Sequence, residues 1–264
     1  EITERDWSSD VCSSDLNPIR QPMEQMRGSI ARKKHVGIMQ PYFLPYIGYF
    51  QLIAAVDQFV IYDNIKYTKK GWINRNRILR DGKDVMFSLP LVKASDDRTI
   101  QDREIAPNFE PNTFLAQMKG AYGKAPYFDQ TQELLDDLVH FPERNLFRFI
   151  AHSIRSLCRH LDIATEIVVS STVQADHGSK GKDRVLAICR ACQAEVYVNP
   201  SGGADLYDRA EFASQGVDLR FIRSRPIEYE QFGAPFVPWL SIIDVLMFNG
   251  RERVAELLGE VDYF

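Results

Sequence analysis

The feature that most constrains the fold is the succession "HVGIMQ" (35–40), "YFQLIAAV" (49–56) and "QFVIYDNI" (58–65). The first is a short apolar run closed by Pro41, which reads as a buried strand. The second places Phe50, Ile53 and Ala54 at i, i+3 and i+4, one face of a helix, and the third returns to β-branched and aromatic residues. Strand, helix and strand within about 30 residues make a βαβ unit, which favours parallel pairing and a right-handed crossover. The pattern returns late in the chain, with a helix over 183–194, a strand over 195–200 and a strand over 217–224. Between the two halves, Asp81-Gly82 separates two alternating runs in 71–92, a strong hairpin signal. Helices are predicted over 112–123, 131–139 and 145–161, a strand over 165–171, and helices again over 240–250 and 251–261. Together these predict an α/β fold with a mainly parallel, Rossmann-like sheet, flanking helices and an inserted hairpin. Residues 35–264 are expected to form one domain, with the hairpin insertion at 71–92.

Residues 1–16 carry no such logic. Their "DWSSDVCSSDL" stretch reads as the in-frame translation of a common sequencing-library adapter, so the segment is expected to be an artefact without a fold. Residues 17–34 are expected to be a flexible basic lead-in. The whole chain has 32 basic and 36 acidic residues, and residues 1–16 hold five of the acids and one of the bases. What remains is neutral, so no global field draws the chain to nucleic acid or an anionic membrane. Three cysteines remain (Cys158, Cys189 and Cys192), a sparse set that suggests a reduced, cytoplasmic setting. No apolar run approaches the roughly 18 residues a membrane span needs.

Four separated blocks, "MQPYFLPYIGYFQLI", "VDQFVIYDNIKYTKKGWINRNRIL", "YVNPSGGADLYD" and "PFVPWLSIIDVLMFN", together resemble the WbqC-like protein family over about 35–264. The resemblance implies a setting in bacterial O-antigen and other surface-polysaccharide gene clusters, and it brings no agreed reaction or catalytic residues. The strand–loop–helix around "FLPYIGY" (43–49) also resembles the first βα unit of nucleotidylyltransferases. Here Tyr46-Ile47-Gly48-Tyr49 stands where that pattern has His-x-Gly-His, which puts nucleotidylyl transfer in doubt.

Candidate site residues follow from this layout. Gln40, Pro41, Tyr42, Tyr46, Gly48 and Tyr49 either form a ligand loop at a helix N-terminus or merely pack the start of that helix. In "YDNIKYTKKGWINRNR" (62–77), Lys66, Lys69, Lys70, Arg75 and Arg77 lie close in sequence, interleaved with Tyr67 and Trp72. Arginine suits bidentate phosphate contact and tryptophan can stack a base or sugar ring, so the segment is expected to bind an anion. Alternation predicts Trp72, Asn74 and Asn76 on one face and Ile73, Arg75 and Arg77 on the other. Asp63, at the carboxyl end of a predicted parallel strand, is the expected acid or base, with Lys70 and Asn74 completing the catalytic set. Asn199, Ser201, Gly202 and Gly203 are expected to close the opposite side of the ligand. Lys180-Gly181-Lys182 lacks the spacing of a P-loop and reads as an ordinary helix start. Cys189-x-x-Cys192 reads as buried small hydrophobes, and no metal or cofactor is expected. Asp244, amid apolar residues, calls for a buried partner such as an arginine or a backbone N–H.

These readings leave two functions open. One is a cytoplasmic transferase acting on a nucleotide-activated or amino-deoxy sugar. The other is a non-catalytic nucleotide-sugar-binding or scaffolding module. In both, the partner is a nucleotide-sugar or another phosphorylated small molecule, with no nucleic acid and no membrane span.

Overall fold

A computed structural model describes residues 33–95 and 97–264. The expectations for 1–16 and 17–32 fall outside the described residues. Strand β1 (His35–Met39) leads through the loop 40–46 into helix α1 (Ile47–Ala54) and strand β2 (Gln58–Ile61), with β1 and β2 parallel. The chain then leaves the sheet. It forms the hairpin β3 (Arg75–Arg80) and β4 (Lys83–Ser88), then helices α2 (Pro111–Tyr122), α3 (Phe128–Val139) and α4 (Leu146–His160). It returns as β5 (Glu166–Val169), parallel to the far side of β2. Helix α5 (Gly181–Ala191), β6 (Val196–Pro200), α6 (Arg209–Ser214) and β7 (Asp218–Ser224) complete the second half. Helices α7 (Ile242–Phe248) and α8 (Arg251–Leu258) and strand β8 (Val261–Tyr263) close it.

The six-stranded sheet has the order β5-β2-β1-β6-β7-β8, all parallel except β8, which runs antiparallel to β7. Counting only the strands of this sheet, that is the doubly wound order, and the direction of strand addition reverses between β1 and β6. The hairpin forms a separate two-stranded sheet. Asp81 (φ 52°) and Gly82 (φ 71°) both adopt the left-handed conformation that a tight two-residue hairpin turn requires.

Two apolar cores flank the sheet. Phe50, Leu52, Ile53, Phe59 and Ile61 pack with the stripe Leu146, Phe149, Ile150, Ile154, Leu157 and Leu161 of α4 and with α7 and α8. The opposite faces of β1 and β6, Val36, Ile38 and Tyr197, pack on Val185, Ile188 and Cys189 of α5 and on Phe212 of α6. Cys158, Cys189 and Cys192 are free and buried, and burial pushes the Cys158 and Cys189 thiols up to about 12.

Two expectations change. The predicted final helix stops at Leu258, and Val261–Tyr263 pairs with Ile222–Ser224 of β7 as an edge strand. Asp244 has no arginine partner among the described residues. Its carboxylate accepts from the Tyr122 hydroxyl (2.9 Å), the Tyr229 hydroxyl (2.7 Å) and Gln231 Nε2 (2.6 Å), so the expected ion pair is a three-donor hydrogen-bonded cage. No helix among the described residues is long and apolar enough to cross a membrane.

Candidate functional site

In an open α/β sheet, ligands bind beyond the carboxyl ends of the strands, where the strand order reverses. Here that point lies beyond Met39 of β1 and Pro200 of β6, and it holds a crevice of about 780 Å³. Gln40 and Tyr42 from the β1 loop, Tyr62, Asn64 and Lys66 after β2, Lys180, Gly181 and Arg184 at the start of α5, Asn199 near the end of β6, and Gly202, Gly203 and Tyr207 after it line it. The described lining carries three cations and no carboxylate. Lys66 is paired with Asp97 (2.9 Å), whereas Arg184 is anchored by two neutral carbonyls, those of Asn64 (3.2 Å) and His177 (3.0 Å).

Helix α5 begins at this wall. Its N-cap, Lys180, is extended and makes no side-chain cap, so the helix start leaves backbone N–H groups that favour negative charge, with Asp183 in the same first turn. Burial raises the hydroxyl pKa of Tyr42, Tyr62, Tyr197 and Tyr207. These groups are therefore neutral donors at pH 7, suited to stacking and hydrogen bonding and unsuited to base catalysis.

Tyr42 also lines a second, smaller notch of about 270 Å³, with Pro45, Tyr46, Trp72, Asn76, Arg77 and Trp239. Its walls come from three distant segments held by short bonds. Asn76 Nδ2 and Ser241 Oγ both donate to the Leu44 carbonyl (2.7 Å each), Phe43 N–H donates to the Ile73 carbonyl (2.9 Å), and Ser241 N–H donates to the Arg77 carbonyl (2.9 Å). A third groove of about 670 Å³ continues from Tyr46 and Trp239 past Ser201, Arg223, Arg225 and Tyr229.

The expected site residues therefore divide. Gln40, Tyr42, Asn199, Gly202 and Gly203 meet in the crevice, while Tyr46, Trp72, Asn76 and Arg77 meet in the notch and Ser201 in the groove. Pro41 and Tyr49 are buried, and the Tyr49 hydroxyl donates to the Gln40 carbonyl (3.0 Å) from within the core. Asp63 is 2% exposed, and its Oδ1 accepts from Ser170 Oγ (2.7 Å) and Ser171 N–H (2.9 Å), which fixes the loop after β5 to the end of β2. Asn74 is likewise a bracket: it accepts from the Tyr67 hydroxyl and donates to the Leu89 carbonyl (2.7 Å each). Lys69 and Lys70 are exposed and line none of these three cavities. Arg75 turns its Nε back to the Gly71 carbonyl (2.8 Å).

Alternation misplaces Trp72, because β3 begins only at Arg75. The indole lies on the arginine side, under Arg75 (5.9 Å) and Arg77 (5.4 Å). Gly48 makes room for the ring of Tyr46, which fills the space a Cβ would take, and not for a base or ribose. In the same way Gly203 makes room for the Asn199 amide, and neither Gly202 nor Gly203 has a positive φ. Gly48→Ala should force Tyr46 off the helix and cost about 1–3 kcal/mol as an overpacking change. Urea unfolding with tryptophan emission would check this, since Tyr46 packs on Trp239 (6.0 Å between ring centroids). Unchanged stability and unchanged emission would refute that account of the glycine.

Sequence reasoning weighed Lys180 as a phosphate cradle but favoured an ordinary helix start, named Tyr207 only as a hydrogen-bonding group, and missed Arg184, Tyr62 and Trp239. A signal existed for Lys180 and Arg184: two cations flank the start of a helix that follows a predicted strand.

The profile of the WbqC-like protein family matches residues 40–256, a span that holds the β1 loop, the hairpin, α5, β6 and Trp239. The chain belongs to the WbqC-like protein family. A Mycobacterium tuberculosis (strain ATCC 25618 / H37Rv) protein, "Uncharacterized protein Rv1507c", is 28% identical over 222 residues, covering 83% of this chain and 95% of that relative. The WbqC-like span thus takes in every residue named above in the crevice and the notch.

Proposed function

We propose that this chain binds the phosphate end of a nucleotide-activated sugar, or a related phosphorylated small molecule, in the crevice between β1 and β6. We further propose that it acts as a transferase in surface-glycan assembly. One observation carries the binding reading: the described lining at the point where strand order reverses combines an uncapped helix start with Lys66, Lys180 and Arg184 and no carboxylate. Tyr42, Tyr62 and Tyr207 supply ring faces and hydroxyls for the base and ribose. The sugar half of the proposal rests on the surface-polysaccharide setting implied by the family resemblance.

The test is a thermal-shift screen with UDP-, dTDP-, GDP- and CMP-sugars, ATP and CoA. A true ligand at 100 times its Kd should add about 2.7 kcal/mol of stability. No shift with any of these compounds would sink the proposal. A second reading, a non-catalytic binding module, is favoured by a specific observation: no carboxylate, histidine or thiol is among the described residues lining the crevice, and Asp63 is sealed behind it. Release of free nucleotide from the bound sugar-nucleotide together with glycosylation of an added methyl glycoside acceptor, followed by chromatography, separates the two. Turnover supports the transferase, and tight binding without turnover supports the module.

A further inference from the structure

The notch beside the crevice carries an assignment of its own. Among the described residues, six other than glycine have positive φ. Asp81 is in the hairpin turn, Asp162 and Gln193 follow the ends of α4 and α5, and Phe232 is in the tight turn 231–234, all places where the left-handed conformation is routine. Leu44 (φ 47°) and Trp239 (φ 61°) have no such explanation: Trp239 lines the notch, and the buried Leu44 comes just before its lining residues Pro45 and Tyr46. Strain of this kind persists only where the surroundings enforce it. The paired bonds from Asn76 and Ser241 to the Leu44 carbonyl, and the Ser241–Arg77 backbone bond, do so here. What they hold in place is a set of exposed aromatic surfaces: Trp239 is 62% and Trp72 40% exposed.

The chemistry of the lining selects the ligand class. Its one charged residue, Arg77, is already matched by Asp84 (2.9 Å), so the notch recruits a neutral group. The rings of Tyr46 and Trp239 meet at 62°, a corner and not a parallel slot. A corner suits a chair-shaped sugar ring, which presents an apolar C–H face to one ring and hydroxyls to the rim, better than a flat base, which gains most from a fully open or parallel ring face. We infer that the notch formed by Tyr42, Tyr46, Trp72, Arg77 and Trp239 is a saccharide subsite that seats one neutral pyranose ring, with the adjoining groove past Ser201 taking the next unit of a longer glycan. Placing it on the acceptor side of the reaction rests on the transferase reading above; binding itself does not.

Two of the chain's three tryptophans are in the notch, so emission in a Trp7→Phe background reports on it directly. The full chain is titrated with methyl glycosides of glucose, galactose, mannose, rhamnose and N-acetylglucosamine, with uridine and adenosine as planar comparators. The expected result is a saturable emission change with at least one glycoside, weakened about thirtyfold by Trp239→Ala. Trp72→Ala, read by emission of Trp239, should also weaken it, and Lys124→Ala, at an exposed position outside the notch, the groove and the crevice, should leave it within about twofold. No response to any glycoside, a response to the nucleosides alone, or undiminished binding in both tryptophan variants would overturn the inference. Glycoside binding without any nucleotide-sugar shift would uphold the notch and remove the crevice proposal. Nucleotide-sugar binding without a glycoside response would do the reverse.

Discussion

Replacing Asp244 by alanine is expected to lower stability by about 3–5 kcal/mol at pH 7, the range for breaking a buried polar cluster. The carboxylate is fully buried and is the shared acceptor for Tyr122, Tyr229 and Gln231. Without it, three donors from α2 and from the segment before α7 face an apolar interior, each leaving about 1–3 kcal/mol of desolvation uncompensated. The Tyr122 hydroxyl also accepts from the Leu79 N–H (2.8 Å), so the loss should spread to the hairpin. Urea unfolding measures the effect, and a loss below about 1 kcal/mol would be incompatible with the cage. The pH dependence has a definite sign. Burial raises the Asp244 carboxyl above its ordinary range, and the three hydrogen bonds pull it only partway back. A raised folded-state pKa contributes stability that is complete below the unfolded value near 4 and is lost as pH rises through the folded value. The stability advantage of the native protein over Asp244→Asn should therefore shrink as pH rises from about 4 and then level off. An advantage that grows over that interval would contradict the raised pKa.

The second large effect concerns where charge meets ligand. Arg184→Ala should weaken the nucleotide-sugar that gives the largest thermal shift by thirtyfold or more, since truncating a buried charged contact costs about 2–5 kcal/mol. Lys69→Ala and Lys70→Ala, at exposed positions away from the crevice, should change binding by less than about twofold. Arg184 also holds the Asn64 and His177 carbonyls, so the variant could disturb the wall it belongs to. Arg184→Lys keeps the charge without the fork and should fall between the two, and Lys180→Ala probes the same helix start from an exposed side chain. Calorimetry at two salt concentrations completes the test, because an electrostatic site weakens as salt rises. If the double variant of Lys69 and Lys70 abolished binding while Arg184→Ala did not, the charge would belong to the hairpin after all.

The contrast between those lysines and Arg184 shows what the sequence could and could not disclose. Asp81-Gly82 was legible because a hairpin turn is a local demand on φ that few residue pairs meet. The first βαβ unit was legible because a run closed by Pro41 and a helix face lie within one short stretch. Strand β8 was not, since Val261–Tyr263 becomes a strand only by pairing with β7, and local periodicity carries no trace of an edge supplied from elsewhere. At the site, clustering in sequence was a poor guide to clustering in space. Five cations within 66–77 looked like one anion site, but of these only Lys66 lines the crevice and only Arg77 the notch. The crevice takes its remaining charge from α5, more than a hundred residues downstream, which the sheet brings alongside. Trp239 reached the notch the same way, through the backbone bond between Ser241 and Arg77 of the hairpin.

Asp63 is the residue whose meaning changes most. The chain leaves the sheet after Ile61 and rejoins it at Glu166, and the Asp63 carboxylate bonds Ser170 and Ser171 at the point of return. Asn64 adds a bond from Ser170 Oγ (2.9 Å) and a contact with His177 Nδ1 (3.2 Å). These bonds act as a buckle across a loop of roughly a hundred residues, whose closure entropy is met once and shared by everything inside it. Opening the buckle would release the hairpin and α2–α4 as one cooperative unit while the β1–β6–β7 half of the sheet stays paired. Native-state hydrogen exchange on Asp63→Ala should then show the amides of residues 75–160 exchanging together at a lowered free energy, ahead of those in β6 and β7. The walls of the notch and the walls of the crevice would come apart in time before either one unfolds.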